Sequence, residues 1–171
     1  MAQAVAALPD APRWWCPQLP PSPAQAMGLI QRGIADWPVE RMAVLGSSLG
    51  GFYAHVLARQ IGCTAVLLNP AAHPARDLAG QIGEHPAWHD PAQRLHFDAG
   101  FIDELRTLQA TPALHKPPLL TLVAKGDEVL DWREMLVAYG DGQVRLIEGS
   151  DHAMSDFDDH LPAILGFLGL K

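Results

Sequence analysis

The sequence predicts an α/β fold with a mostly parallel sheet and helices on both faces, and two observations support this prediction. Short apolar runs alternate with helical patterns along the 171 residues, which is the order expected of strand–helix–strand units. The run 119–124 is apolar apart from one threonine, as a parallel strand buried on both faces would be. A chain of 171 residues has the length of one domain, and its hydrophobic content of 49% is ordinary for a globular protein, so we expect one domain over residues 1–171.

Five strands and five helices are expected from the local patterns. The strands lie near residues 13–16, 42–46, 64–69, 119–124 and 143–148. The helices lie near residues 23–36, 51–61, 99–110, 131–139 and 157–168. Ser155 and Asp158 have the spacing of a capping box for the last helix.

Charge and composition exclude several classes of partner. The chain contains 12 Lys and Arg residues and 19 Asp and Glu residues. The resulting net charge of −7 argues against binding to nucleic acid or anionic membranes. No apolar run approaches the roughly 18 residues of a membrane span, and the Ala-rich start lacks the basic region of a signal peptide. Cys16 and Cys63 are expected to be buried free thiols, and a cytoplasmic location is expected.

The most informative motif is Gly46-Ser47-Ser48-Leu49-Gly50-Gly51, which directly follows an apolar run. This G-x-S-x-G pattern is typical of a strand, a sharp turn with a serine at its tip, and a helix. Glycine at 46 and 50 would let the turn close, and we expect a Cβ at either position to clash with neighbouring backbone. The pattern therefore predicts that Ser48 presents its hydroxyl above the sheet as a nucleophile.

An acid and a histidine follow the serine in the order that such a site requires. Asp127 comes just after the run 119–124, and His152 comes just after the strand pattern at 144–147. Both would lie at the carboxyl edge of a parallel sheet, where ligands bind in open α/β folds. A serine hydroxyl needs a base to take its proton, and the base needs a carboxylate to orient it. Ser48, Asp127 and His152 are therefore the candidate catalytic residues.

Neighbouring residues compete for these roles. Ser47 lacks glycines on both sides at the required spacing, and Asp151 adjoins His152 along the chain, where neighbouring side chains point apart. Glu128 and Asp131 lie near Asp127, and Asp131 stays an alternative acid.

A metal site is not expected from the histidines. His85 and His89 have an i, i+4 spacing, but Pro86 lies between them and no third ligand is evident. We expect no metal and no cofactor, because no Gly-rich phosphate loop or Cys-x-x-Cys motif is present either.

A set of blocks spread over nearly the whole chain carries a family resemblance: 17–21, 46–54, 68–71, 126–131 and 148–153, with 167–170. In these blocks and in their order, the chain resembles the YqiA/YcfP family of α/β-hydrolase-fold esterases. The resemblance implies a small α/β-hydrolase fold and a serine hydrolase with Ser48, Asp127 and His152 as its triad. The implied partner is a small-molecule ester or thioester, and the oligomeric state is left open.

The chain departs from the family at its beginning. The family starts with an apolar strand and a His-Gly-Phe loop that supplies one of two oxyanion N–H groups, whereas residues 1–8 look like the tail of a first helix. We therefore expect an N-terminally shortened version in which the N–H of Leu49, the residue after the nucleophile, is the oxyanion donor that remains.

The long connection between the third and fourth expected strands is predicted to be a cap. Segment 70–118 holds seven prolines and is longer than a crossover needs. Several of its side chains could line an acyl pocket or, alternatively, pack the insertion against the sheet: Trp88, His89, Leu95, Phe97, Phe101 and Leu105.

Three functions remain in view. The first is hydrolysis of carboxylic esters through an acyl-enzyme on Ser48, and the second is hydrolysis of acyl-CoA thioesters by the same residues. The second would need a cationic pocket for the CoA phosphates, and the scattered cations do not predict one: Arg13, Arg76, Arg94 and Lys116. The third is a catalytically impaired binding protein that keeps the hydrolase fold.

Overall fold

The structure is a computed structural model that describes residues 1–9, 12–87 and 90–170, except for the side chains of residues 85–95. Six strands are described: β1 (Ala43–Ser47), β2 (Thr64–Leu68), β3 (Gly83–Ala87), β4 (Asp90–Phe97), β5 (Leu119–Ala124) and β6 (Gln143–Ile147). Four of them form one parallel sheet in the order β1-β2-β5-β6. Each crossover in this sheet carries at least one helix, as parallel pairing requires.

The two inner strands of the parallel sheet are its most apolar segments. All six residues of β5 are buried, and so are four of the five residues of β2. Strands covered by helices on both faces read as continuous apolar runs, which explains why these two are clear in the sequence. In the described sheet β1 and β6 are the outer strands, and most of their residues are partly or fully exposed.

Seven α-helices lie within the described residues. They are α1 (Ala2–Ala6), α2 (Pro23–Gly33), α3 (Leu49–Ile61), α4 (Pro74–Asp77), α5 (Gly100–Gln109), α6 (Trp132–Tyr139) and α7 (Phe157–Phe167). Among the described residues, none of these helices is long and apolar enough to cross a membrane.

Helices cover both faces of the parallel sheet because side chains of successive strand residues point to opposite sides. On one face, Leu67 and Val123 pack with α3 and with Met135 of α6. On the other face, Val66 packs with Ile164 of α7. Burial of each large aliphatic side chain in such a layer contributes about 1.5–3 kcal/mol. The predicted α/β class and its two helical layers are confirmed.

The strand expected at residues 13–16 is wrong. This stretch has irregular backbone, and its Trp15 and Arg13 side chains lie against the end of α2 and the loop after it. A Cβ on Gly33 would come within 2.2 Å of the Trp15 ring, and the Arg13 guanidinium lies 4.6 Å from the Trp37 ring centroid. Pro12 and Pro17 flank the stretch and supply no N–H for a ladder, and Trp14, Trp15 and Cys16 between them are exposed.

Segment 70–118 contains an antiparallel hairpin that the sequence did not predict. Strands β3 and β4 pair with a register shift between Pro86 and Ala87. Prolines inside a segment argue against a strand, so the sequence pattern predicts no strand here. The helix α5 packs on α2 and places Leu105 in the core. Trp88 and His89, two of the expected pocket residues, lie outside the described residues, as do the side chains of Leu95 and His85.

Candidate active site

The turn between β1 and α3 holds Ser48 in a conformation that side-chain-bearing residues rarely adopt. Its φ is 53° and its ψ is −123°. Its N–H donates to the Leu68 carbonyl at 2.9 Å, and its own carbonyl accepts from Phe52 at 3.2 Å and Ala71 at 3.1 Å. These hydrogen bonds hold a strained residue in place, and such strain is concentrated at functional sites.

The glycines of the motif have different roles from those expected. A Cβ on Gly46 would lie 2.0 Å from the carbonyl oxygen of Gly50, so glycine is required there. A Cβ on Gly50 would meet nothing within 4 Å, and the expected clash at this position is wrong. Gly51 makes the second close approach, since its Cβ would lie 2.9 Å from the Pro70 side chain. The turn therefore closes through Gly46 and Gly51.

The structure brings together the three residues expected to act. The Nε2 of His152 lies 3.0 Å from the Oγ of Ser48, and its Nδ1 lies 2.8 Å from the Oδ2 of Asp127. The Asp127 side chain is fully buried, whereas the His152 side chain is 21% exposed. The imidazole therefore lies between a buried carboxylate and a serine hydroxyl, at the carboxyl ends of β1, β5 and β6.

Asp127 is oriented by its own loop. Its Oδ1 accepts from the N–H groups of Val129 and Leu130, both at 2.8 Å, so that Oδ2 is left for the imidazole. The alternative acid, Asp131, accepts from the N–H of Arg133 at 2.9 Å and caps α6. The geometry thus favours Asp127 over Asp131 as the partner of the histidine.

The other acidic neighbours have structural partners. Glu128 accepts from the His152 backbone N–H at 3.0 Å. Asp151 accepts from the hydroxyl and the N–H of Ser155, and these bonds hold the pKa of its carboxyl below its usual range. Ser155 is therefore engaged with Asp151 and does not form the predicted capping box; the residue preceding α7 is Asp156.

The loop that carries the histidine is closely tied on both sides of that residue. Ser150 and Met154, two positions before and after it, both have positive φ, 63° and 54°. The Ser150 hydroxyl donates to Asp156, and this bond lowers the pKa of that carboxyl. A Cβ on Gly126 would lie 2.2 Å from the Ser150 carbonyl oxygen, so this loop and the loop after β5 pack backbone to backbone.

The backbone N–H of Leu49, the residue expected to be an oxyanion donor, is the first in α3. The first four N–H groups of a helix have no acceptor within it, and the helix N-terminus favours negative charge. Such a group is suited to a developing oxyanion beside the Ser48 hydroxyl.

Two of the cations considered for phosphate binding are engaged with other side chains. Arg76 makes a bidentate ion pair with Glu134, at 2.7 and 2.6 Å, and also bonds Asp77. Arg13 lies over Trp37.

Within the described part of the chain, no cluster of three or more His, Cys, Asp or Glu side chains is arranged to hold a metal ion.

One buried residue at this edge of the sheet was not singled out from the sequence. Asn69 follows β2 directly, has a φ of 41° and is 0% exposed. Its side chain donates to the backbone carbonyls of Asp151 and His152. The signal available in the sequence was an asparagine placed between the end of a buried strand and a proline.

This combination of parallel sheet, serine turn and flanking helices defines an α/β-hydrolase fold. Solved structures share it at low sequence identity. A protein from Agrobacterium vitis S4 matches with a TM-score of 0.62 and 18% identity, over 86% of this chain and 69% of that one. An α/β superfamily hydrolase from Oenococcus oeni PSU-1 matches with a TM-score of 0.53 and 19% identity, over 90% and 77%. Est1E from Butyrivibrio proteoclasticus, in a structure with bound ferulic acid, matches with a TM-score of 0.58 and 18% identity, over 86% and 66%.

The family model described as "Uncharacterised protein family (UPF0227)" matches residues 1–169, and the chain belongs to this family. The resemblance to the YqiA/YcfP family found in the sequence is thereby confirmed.

Proposed function

We propose that this protein is a serine hydrolase that cleaves carboxylic esters of small molecules through an acyl-enzyme on Ser48. The observation that carries the proposal is the position of His152, which reaches Ser48 at 3.0 Å and Asp127 at 2.8 Å with opposite ring nitrogens. This is the arrangement that a weak nucleophile needs, since the base is in reach and its tautomer is set by a carboxylate.

In the first half of the reaction, Nε2 of His152 takes the proton of the Ser48 hydroxyl as Oγ attacks the ester carbonyl carbon. The carbonyl π electrons move to oxygen, and the Leu49 N–H donates to the resulting oxyanion. When the tetrahedral intermediate collapses, the C–O bond to the alcohol breaks and the imidazolium gives its proton to the leaving alkoxide. Asp127 stabilises the imidazolium throughout and keeps Nδ1 protonated.

In the second half, water replaces the alcohol. His152 takes a proton from the water while the water oxygen attacks the acyl carbon. The bond from the acyl carbon to the Ser48 Oγ then breaks, and the imidazolium returns the proton to Oγ. The products are the carboxylic acid and the free serine. The 21% exposure of the His152 side chain leaves it accessible to this water.

A fluorophosphonate probe tests the nucleophile, because it labels only a serine that is activated by its base. We expect the wild type to be labelled and to hydrolyse short p-nitrophenyl esters. Ser48→Ala is expected to lose both activities while keeping its helical circular dichroism. Ser47→Ala is the matched control, because Ser47 is the exposed neighbouring serine.

The same experiment separates this proposal from the other readings. Labelling that survives in Ser48→Ala contradicts the role of Ser48. A folded wild type that neither reacts with the probe nor hydrolyses esters contradicts the hydrolase proposal and favours a binding protein with the hydrolase fold.

A further inference from the structure

We propose that Asn69 and Glu128 are positioning residues that hold the backbone of His152 from opposite sides and so set the distance between its imidazole and Ser48. The inference rests on the proposed function, since it assigns the residues that keep its base in place. It is carried by hydrogen bonds that the side chains of Asn69 and Glu128 make with backbone groups.

Asn69 lies at the centre of the strand ends. It follows β2, which lies between the strand leading to Ser48 and the strand leading to Asp127. Its N–H donates to Leu122 of β5 at 3.0 Å, and two residues later the Ala71 N–H donates to the Ser48 carbonyl at 3.1 Å. The backbone of this segment therefore joins the nucleophile turn to the neighbouring strand.

The Asn69 side chain uses all of its hydrogen-bonding groups. Its Oδ1 accepts from the Ala124 N–H at 2.8 Å, at the end of β5. Its Nδ2 donates to the carbonyls of Asp151 at 3.0 Å and His152 at 3.2 Å. The orientation of the amide follows from these partners, because a backbone N–H only donates and a carbonyl only accepts. A carboxylate in its place would supply no proton for the two carbonyls.

Glu128 holds the other side of the same residue. Its Oε2 accepts from the His152 N–H at 3.0 Å, and it adjoins Asp127 in the loop after β5. Thus the carbonyl of His152 is bound from β2 and its N–H is bound from the acid's loop. The positive φ of Ser150 and Met154 means that this loop does not follow the preferred backbone of its residues, so contacts from outside must hold it.

The consequence is kinetic. If either anchor is lost, the loop can relax and the distance from Nε2 to Oγ can lengthen without a change at the substrate-binding surface. Misplacement of a reacting group by about 1 Å can cost about 10²-fold in rate. We therefore expect a loss in kcat and in the rate of probe labelling, with KM unchanged.

The test compares Asn69→Asp with Thr121→Val. Thr121 is also buried in the sheet and also bonds a carbonyl through its hydroxyl, but this carbonyl is that of Tyr139 at the end of α6 and not one in the histidine loop. Asn69→Asp is expected to lower kcat for a p-nitrophenyl ester and the fluorophosphonate labelling rate by about 10–100-fold, with KM within about twofold of wild type. Thr121→Val is expected to lower the thermal midpoint but to keep both rates.

A second pair keeps the test decisive if Asn69→Asp does not fold. Glu128 is exposed, so its variants are expected to fold. Glu128→Ala removes the acceptor of the His152 N–H and is expected to slow labelling by about 3–30-fold. Glu128→Gln keeps an acceptor oxygen and is expected to restore the wild-type rate, which loss of charge or of general stability would not do.

The outcomes distinguish this inference from the function on which it rests. A reactive wild type together with a folded Asn69→Asp or Glu128→Ala that reacts at the wild-type rate overturns the positioning roles and leaves the hydrolase proposal intact. A wild type that does not react overturns both.

Discussion

The carbonyl oxygen of Gly50 lies 2.0 Å from the point where a Cβ on Gly46 would stand. These two glycines are separated by the strained turn at Ser48, and the chain closes so tightly there that one of them cannot carry a side chain. Gly50, by contrast, has open space around its own Cβ position. The two ends of the G-x-S-x-G motif therefore differ in what they require.

This difference predicts opposite effects of two alanine substitutions. Gly46→Ala is expected to destabilise the protein by about 2–4 kcal/mol, because backbone must move to relieve the overlap. Gly50→Ala is expected to be neutral or to stabilise by up to about 1 kcal/mol, because alanine is favoured within α3. Urea unfolding of both variants and the wild type measures the difference. A Gly46→Ala variant as stable as Gly50→Ala contradicts the description of the turn.

The choice of acid is testable with two identical changes. Asp127→Asn removes the carboxylate that orients His152 and is expected to lower kcat by about 10³–10⁴-fold. Asp131→Asn is expected to keep kcat within a few-fold, because asparagine caps a helix about as well as aspartate. Ester hydrolysis by the purified variants decides between them. The assignment is reversed if Asp131→Asn loses activity while Asp127→Asn keeps it.

The lowered pKa of His55 predicts that the protein loses folding stability in mild acid. His55 lies on α3, and its ring centroid is 4.9 Å from that of Tyr139 in an edge-on arrangement. Burial is the largest cause that lowers the pKa of His55 to about 4, and the positive charge of Arg59 lowers it further. The negative charge of Asp141 has a smaller, opposing effect. The unfolded chain takes up a proton on this histidine near pH 6.5, whereas the folded chain does so only near pH 4. Its contribution is therefore complete above about pH 6.5 and is lost as the pH falls towards 4.

The expected size of this contribution is on the order of 1–3 kcal/mol, reduced by the partial exposure of the ring. The measurement is denaturant unfolding between pH 7 and 4 for the wild type and His55→Gln, which cannot titrate. His55→Gln should lose less stability over this interval. His115→Gln, which changes an exposed histidine, is the control and should follow the wild type. Parallel curves for all three proteins contradict the prediction.

The two cysteines predict different reactivities. Cys16 is exposed, which corrects the expectation that it would be buried, and Cys63 is buried with its thiol pKa raised to about 11 by desolvation. An aromatic disulfide reagent at pH 8 should titrate one thiol of the native protein quickly and the second only after denaturation. The Cys16→Ser variant should show no fast phase. Two fast thiols in the wild type would mean that Cys63 is not held in the core.

The sequence predicted secondary structure well where the local pattern alone identifies the helix or strand. The runs that became β2 and β5 are apolar apart from one threonine each, and a segment of that composition is most easily accommodated as a strand buried on both faces. The five expected helices are present with ends within about three residues of the prediction, and α3 begins two residues early because the serine turn leads directly into it. The short helix α4 was not predicted. The hairpin of β3 and β4 was not predicted, because prolines within a segment argue against a strand and the pairing depends on the partner strand.

For the candidate site, the sequence by itself indicated the serine, the histidine and Asp127, with Asp131 as the alternative acid. It also gave the order in which the strand ends present them, since a G-x-S-x-G turn and residues after apolar runs can be recognised locally. The tertiary structure decided which carboxylate faces the imidazole, which glycines the turn requires, and how the histidine loop is held. Each of these depends on atoms far apart in the chain, such as the Asn69 amide and the His152 carbonyl, 83 positions away. Spacing along a sequence carries no information on such distances until the sheet has brought the strand ends together.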